Sequence, residues 1–449
     1  MLYNSIVGFI SSFTKQKGVD AKLKSSIYSR LIKGGAWSLL GNICSKGILL
    51  LSTIIVSHIL GKIGYGQYSI IRTTIFMFIA LASVGVGATT TKYISQHRDN
   101  NIQKAYNIYV VASIFAIIFG FITSIAICYF SGWISLSQLN APYLSDSIKY
   151  GAVLLFFCTL NGAQSGTLAG FEDFKSIAKN SLISSVIEIV SITVFTIIWG
   201  LNGALIGSGI AYMVLTILNN RQINTYFKDR VRKSIKNIKK DEISIIWYFG
   251  VPAALCNLMV IVALWITRTF LVRETNFGEI AIYNAADQIR AFILFIPTSL
   301  SAIILPVLTN IKHSKEQNSY NQVLSLNIIV NISISAFVAL LICILSKPIL
   351  HLWGNEYNDI IPLIILAVSA IFSSFATVVG QAIASQGKMW IGFICNLIWA
   401  VIVVVLSIAF VRNGLGAKGL ALAILIAYIA HGMYQYAILK TLLKKQIYN

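Results

Sequence analysis

Apolar stretches of about 20 residues recur along nearly the whole chain, the length a helix rising about 1.5 Å per residue needs to cross about 30 Å of hydrocarbon. Twelve stand out, at residues 35–60, 68–91, 106–130, 147–169, 180–199, 203–220, 245–272, 280–308, 322–346, 360–384, 390–411 and 417–439. Lipid offers the backbone no hydrogen-bond partners, so each stretch must satisfy its own. This predicts an all-α polytopic membrane protein with 12 transmembrane helices. Composition agrees: 57% of residues are hydrophobic and 11% charged, with a mean hydropathy of +0.77, against about 25% charged in a soluble domain. The 449 residues leave short connections and no room for a separate soluble catalytic module.

Orientation follows from positive charge, which is retained on the cytoplasmic side during insertion. Of 35 Lys and Arg, 25 fall in the N-terminal segment, the even-numbered connections and the C-terminal tail. The odd-numbered connections hold only Lys62, Lys149, Arg273, Lys347, Arg412 and Lys418. Both termini are therefore expected in the cytoplasm. The expected division is a basic N-terminal segment (1–34) on the membrane surface, a six-helix lobe (35–220), a basic cytoplasmic linker (221–244), a second six-helix lobe (245–439) and a cytoplasmic tail (440–449). The apolar patch at residues 1–13 precedes its basic residues, the reverse of a cleavable signal. Topology and anionic headgroups account for the net charge of +20. No nucleic-acid partner is expected, because the linker lacks a fold to present a basic surface.

All six cysteines, Cys44, Cys128, Cys158, Cys256, Cys343 and Cys395, fall in these stretches, with no CxxC and no His or carboxylate at ligand spacing. They read as buried thiols, and neither a metal site nor a cofactor is expected. His58 and His431 lie in or at the ends of spans, where a satisfied packing role is the first reading. Pro252, Pro297, Pro306 and Pro362 lie within spans, and Pro252 and Pro297 are placed to break helices.

An internal repeat organises the chain. A shift of 215 residues superposes Gly35 on Gly250, Asn42 on Asn257 and Tyr68 on Tyr283, and a shift of 216 superposes Gly200, Gly203 and Tyr212 on Gly416, Gly419 and Tyr428. Halves of six spans share one orientation and are related by a pseudo-twofold along the membrane normal, with a cavity between them.

The segment 34–71, with Leu60, Gly61, Tyr65, Gly66 and Tyr68, resembles the first span and external turn of bacterial polysaccharide repeat-unit flippases. "LAGFEDFK" at 168–175 is similar to the turn after the fourth span in that family. Position 62, Lys here, is usually Pro there. The resemblance covers the whole chain in length, span number and repeat. It implies a fold shared with multidrug exporters of the MATE type and with lipid II flippases, two six-helix lobes forming a V. It implies transport of undecaprenyl-pyrophosphate-linked oligosaccharide from the cytoplasmic to the outer leaflet of the bacterial cytoplasmic membrane, for O-antigen or capsule, beside other polysaccharide assembly proteins.

A sugar chain and a pyrophosphate cannot cross hydrocarbon unaided, whereas a polyprenyl tail can stay in lipid, so the protein needs a wet cationic groove open sideways. An intramembrane charge costs roughly 2.5–3.5 kcal/mol on insertion scales and marks a cavity or a partner. Six such residues are present: Lys46, Arg72, Glu188, Arg268, Asp287 and Arg290. Lys46, Arg268, Arg290 and Arg72, with Asn42 and Asn257, are the candidate headgroup contacts; Asp287, Arg72 and Glu188 are candidates for gating or ion coupling. Under the 215-residue shift Asp287 corresponds to Arg72, which places opposite charges at one depth and predicts an Arg72–Asp287 pair when the outer side is closed. An ion pair between Asp287 and Arg290, which only locks its own helix, is the competing reading. Arg268 has one too, snorkelling to the outer surface. Glu188 is read as a proton or sodium site, or else as an acid bonded to Ser or Thr. Two other function classes stand beside the flippase: a multidrug or lipid II exporter of the same fold, and a membrane-embedded polysaccharide polymerase or ligase.

Overall fold

The computed structural model describes residues 21–83, 85–228, 231, 251–299, 301, 308 and 317–447. Its described elements are helical: α1 (Ala21–Ser83), α2 (Val86–His97), α3 (Ile102–Trp133), α4 (Ser145–Gly170), α5 (Phe174–Phe227), α6 (Val251–Glu274), α7 (Phe277–Ile293), α8 (Gln317–Ile344), α9 (Ser346–His351), α10 (Ile361–Ser385), α11 (Met389–Phe410) and α12 (Gly416–Ile447). Among the described residues, seven helical segments are long and apolar enough to cross a membrane. Three of these, Ile43–Ser83, Phe174–Phe227 and Trp390–Leu443, run to 41, 54 and 54 residues, about twice what one crossing needs.

Each of the three breaks at a glycine. In α1 the break is Gly61 (φ 70°), in α5 it is Trp199–Gly200 (φ 56° at Gly200), and between α11 and α12 it is Gly414–Gly416 (φ 79° and 48°). Positive φ is open to glycine at little cost, so these positions turn the chain without strain. In α5 the turn is a full reversal: the Ser191 hydroxyl donates to the Gly207 carbonyl at 2.9 Å, Ser184 to Ala211 at 2.8 Å, and the Asn180 amide to the Asn219 side chain at 2.9 Å. The limbs of α1 also meet, because the Gln288 amide bonds Thr53 before the break (2.8 Å) and Tyr65 after it (2.6 Å). The Trp399 ring lies 5.2 Å from that of Tyr428, bringing α11 and α12 side by side.

The repeat seen in the sequence recurs in the backbone. Gly200 and Gly416 share one conformation, φ 56° and 48° with ψ −133° in both. Glu172 and Gly387, related by the 215-residue shift, both take positive φ, at 61° and 73°. The turn holding Glu172 is clamped: Asp173 caps α5 by accepting from the Ser176 N–H, and also accepts from the Tyr226 hydroxyl at 2.7 Å and the Gln222 amide at 2.8 Å.

One buried core spans both sequence halves at the end carrying these breaks, joining Val56, Tyr65 and Tyr68 to Tyr283, Trp353 and Tyr357. About 27–40 Å from that end along the helices, the halves keep separate cores, one around Ile94, Ile108 and Phe227, the other around Tyr320, Val379 and Leu439.

Several expectations change. Helix α1 begins at Ala21 and runs unbroken to Gly61, so residues 21–34 are continuous with the helix of the first span. The expected 280–308 span is interrupted: α7 ends at Ile293, with a turn at Leu294. That is the position a proline dictates, since Pro297 has no N–H for the Ile293 carbonyl. Pro362 bends nothing, lying in the first turn of α10 where a missing N–H is harmless. Pro252 and Pro306 have side chains outside the described residues. Of the cysteines, Cys395 is buried but Cys44 is exposed on the protein surface, so an apolar span hides a thiol from water without burying it in protein.

A Cβ at Gly203 would collide with the Phe195 carbonyl oxygen, whereas one at Gly47 meets nothing within 4 Å among the described residues. Gly203→Ala should therefore lower stability by about 1–3 kcal/mol, the usual range for overpacking, while Gly47→Ala is neutral. Thermal unfolding in detergent checks this, and equal melting temperatures for the two variants would rule out the close α5 hairpin.

Candidate functional site

The second limb of α1 (62–83) and helix α7 are repeat equivalents, and each sets polar residues at spacings of three and four on one face. The first presents Tyr65, Tyr68, Ser69 and Arg72, the second Tyr283, Asn284, Asp287 and Arg290. These faces meet. The Asn284 amide donates to the Ser69 hydroxyl at 2.8 Å across a separation of 215 residues, so two equivalent positions touch one another. Only residues on a twofold axis can do so. Two further bonds are images of each other under the same shift: Thr53 to Gln288 at 2.8 Å and Arg268 to Thr73 at 3.4 Å. Toward the chain breaks the seam closes with Ser57, which donates to the Trp353 carbonyl and shares a hydrogen bond with the Tyr357 hydroxyl (2.8 and 2.7 Å). It also closes at Gly66, where a Cβ would stand 1.9 Å from the Phe277 carbonyl oxygen.

Beside this seam lie two charge clusters. In the second half, Asp287 accepts from Arg268 at 2.6 Å and from Arg290 at 3.1 Å. The Arg268 guanidinium lies 5.5 Å from the Tyr283 ring centre and that of Arg290 5.0 Å from the Tyr428 ring centre, cation–π distances. In the first half, Arg72 faces Glu188 at 3.6 Å, donates to the Tyr68 hydroxyl at 3.3 Å and lies 5.5 Å from the Phe76 ring. Lys46 stands apart, exposed, with its ammonium 5.1 Å from the Phe295 ring and no carboxylate partner among the described residues. Asn42 and Asn257 have side chains outside the described residues.

Depth unites these groups. Counted from the breaks at Gly61, Gly200 and Asn276, Arg268 is eight residues in, Arg72 and Asp287 eleven, Glu188 twelve, Arg290 fourteen and Lys46 fifteen. At the helical rise this is a band about 12–22 Å from that end, around the middle of a hydrocarbon core about 30 Å thick. The five paired side chains are 9–21% exposed. Three guanidiniums face two carboxylates, so the clusters keep a positive excess that Lys46 increases. Hydrogen-bonding capacity is also left over: Arg268 Nε and Arg290 Nε are buried without a partner among the described residues. Such atoms mark a place for acceptor oxygens.

The Arg72–Asp287 pair expected from the repeat is not formed in this structure. Asp287 is already held by two arginines of its own half, and Arg72 by Glu188. The helix-locking Asp287–Arg290 pair is present, but Arg268 joins it, turned inward instead of snorkelling outward. Among the described residues no Ser or Thr bonds the Glu188 side chain; its carboxylate faces Arg72, with Oε1 lacking a hydrogen bond there. Sequence reasoning overlooked Gln288, Ser69 and Tyr428 in these roles, although Tyr428 had already appeared as the repeat partner of Tyr212.

This architecture is that of a membrane transporter fold. It aligns with an inward-facing multidrug resistance MATE family transporter of the MOP superfamily at a TM-score of 0.77, covering 91% of this chain and 99% of that one at 18% identity. Residues 31–312 match the polysaccharide biosynthesis protein family, and the chain belongs to that family. It is similar to a putative O-antigen transporter of Shigella flexneri, 23% identical over 80% of this chain and 85% of that one. It is likewise 23% identical to the lipid III flippase of Escherichia coli (strain K12), over 64% of this chain and 69% of the relative.

Asp287 neutralises two arginines, so removing it should do more harm than removing either one. Asp287→Asn is expected to lose about 2–4 kcal/mol, toward the range for breaking a buried pair, and Arg268→Gln clearly less, because Arg290 still satisfies the carboxylate. Thermal unfolding of both variants in detergent checks the order; a larger loss for Arg268→Gln would show that Asp287 is not the hub.

Proposed function

We propose that this protein is a flippase carrying undecaprenyl-pyrophosphate-linked oligosaccharide repeat units from the cytoplasmic to the outer leaflet of the bacterial cytoplasmic membrane, for surface polysaccharide assembly. Family membership and the relatives named for O-antigen transport and lipid III flipping support a transporter of the MOP superfamily rather than an enzyme. The observation that carries the substrate class is the mid-depth excess of guanidinium and ammonium groups with donors unspent. A pyrophosphate brings two or more negative charges and several acceptor oxygens, which arginine binds in a planar fork.

The mechanism is alternating access between two six-helix lobes, 35–220 and 245–439. Counting both limbs of each reversed segment and adding α6 and α7 to the remaining spans gives twelve crossings, with the termini and the basic linker 221–244 in the cytoplasm. The breaks at Gly61, Gly200, Asn276 and Gly416 then lie at the outer face, and the shared core there with separate cores at the other end describes a state open to the cytoplasm. The seam suits a gate. Apart from the long Arg268–Thr73 contact, its bonds, among Ser57, Thr53, Tyr65, Ser69, Asn284, Gln288 and Tyr357, involve uncharged groups, each worth about 0.5–1.5 kcal/mol net. Cargo that binds the open state more tightly can supply enough to separate them. Glu188, with one oxygen unbonded beside Arg72, is the candidate proton or sodium site coupling the cycle to an ion gradient.

Lys46→Gln with Arg268→Gln should abolish surface polysaccharide in cells while the protein remains folded and inserted. Normal surface glycan in that double variant would remove these residues from the headgroup site. Cysteines at positions 69 and 284, joined through disulfides by a short bis-methanethiosulfonate cross-linker, should stop flipping of a labelled lipid-linked glycan in reconstituted vesicles, and reduction of those disulfides should restore it. Unimpaired flipping with the bridge intact would show that the seam is not a gate.

A further inference from the structure

The seam between the halves is polar where closure alone does not require it. Exchanging both partners of a buried hydrogen bond for apolar groups of the same shape is nearly neutral for stability, so a joint that only had to seal could be apolar throughout. Here it holds two amides and several hydroxyls. Asn284 and Gln288 lie one turn apart on one face of α7, and both work across the joint: Asn284 donates to Ser69 at 2.8 Å, while Gln288 accepts from Thr53 at 2.8 Å and donates to the Tyr65 hydroxyl at 2.6 Å. Ser57 shares a hydrogen bond with Tyr357 at 2.7 Å. Around these groups stand Tyr65, Tyr68, Tyr283, Trp353 and Tyr357, among the largest fully buried side chains of the described residues. The Tyr65 and Tyr357 rings lie 6.5 Å apart, edge to face.

Opening the joint takes the partners of these amides and hydroxyls away together. Gln288 loses both of its bonds, since both run to α1. A side-chain amide sets an acceptor oxygen beside two N–H donors, a pattern that neighbouring hydroxyls on a sugar ring complete. Tyrosine and tryptophan add apolar faces with a polar tip, suited to the C–H face of the same ring. The order along α7 also fits. Arg290, Gln288 and Asn284 lie fourteen, twelve and eight residues from the break at Asn276, a span of about 9 Å at the helical rise. A pyrophosphate held at Arg290 puts the first sugar beside Gln288 and the next toward Asn284 and the end that carries the chain breaks.

We propose that the opened faces of the seam form a glycan-recognition surface, with Asn284 and Gln288 selecting the sugars nearest the pyrophosphate. Sugar hydroxyls take over the bonds that Ser69, Thr53 and Tyr65 give up, so a matching glycan favours the open state and a poorly matched one does not. This rests on the flippase reading above and adds that the gate itself reads the cargo.

Flipping by the full-length protein in reconstituted vesicles tests the proposal with two probes: a lipid-linked repeat unit extracted from the cells that make it, and bare undecaprenyl pyrophosphate as competitor. Gln288→Met keeps the side chain's length and removes its amide; Asn284→Ala is a second variant should the first fail to insert. In either, KM for the repeat unit should rise about 10-fold, the scale of one hydrogen bond. The inhibition constant of the bare carrier should stay within about 2-fold of wild type, because a gate that is merely weakened shifts the open and closed populations and moves both constants together. Parallel changes in the two constants, or none in either, overturn glycan recognition and leave the flippase reading standing. A wild type that moves no repeat unit overturns both. A wild type that moves the repeat unit but is not inhibited by the bare carrier counts against the headgroup site, and a carrier bearing one sugar then takes the competitor's place: its KM should stay level in Asn284→Ala while that of the complete unit rises, and equal shifts overturn the proposal.

Discussion

An ionised side chain in hydrocarbon must bring its counter-charge with it, and this requirement explains where the polar groups of this protein lie. The lipid-facing positions are apolar, as at Ile117, Phe121, Val190, Ile197, Phe337 and Leu340, all exposed on the protein surface. The paired charges gather beside the seam between the halves, each guanidinium matched by a carboxylate and an aromatic face. Two carboxylates cannot neutralise three arginines, so the arrangement is stable only if some of the surplus is hydrated or met by an anion. A purely structural network would gain by adding an acid or losing an arginine.

The scaffold that brings these charges together depends on folding long helices back at a few glycines. Gly200 and Gly416 take the same unusual backbone conformation 216 residues apart, and the limbs they separate place Tyr212 and Tyr428 at the same depth. Because these turns need almost no loop, a hairpin end can stack tightly against a neighbouring helix. Glu279 illustrates the effect: from α7 it accepts the Ala417 N–H at 2.7 Å, satisfying a donor in the first turn of α12 that no residue of its own helix reaches.

How much of this could be read from the sequence differs by feature. The apolar runs, the repeat offset and the six intramembrane charges were legible because membrane insertion imposes them residue by residue. The break before Pro297 was anticipated, and its position follows from one missing N–H. The partners of Asp287 were not foreseen. Repeat symmetry relates Arg72 to Asp287 as equivalents, but equivalent residues touch only on the axis, and the axis passes through Ser69 and Asn284, one turn away. At Arg72 and Asp287 the faces have already diverged, and each charge finds a partner in its own half. The state of His431 was also illegible: expected as a satisfied core residue, it is buried with neither ring nitrogen bonded among the described residues, and an orphaned imidazole and a satisfied one look identical in a sequence.

The departures from symmetry carry the functional content. Under the 215-residue shift Thr53 corresponds to Arg268, Ile75 to Arg290 and Arg72 to Asp287. Two of the three substitutions add a cation to the second half, and the third supplies the acid that holds both. The seam bond of Thr53 to Gln288 is reproduced in the other half by Arg268 to Thr73, so Arg268 keeps its ancestral place in the seam while its other arm reaches Asp287. One side chain thereby belongs to the seam and to the charge cluster at once. An anion that draws Arg268 toward itself must weaken the bond to Thr73, and opening the seam must free Arg268 from its neighbour. In the proposed cycle, binding and opening would therefore be coupled through a single guanidinium, a consequence of placing an arginine where the symmetric scaffold required only a threonine.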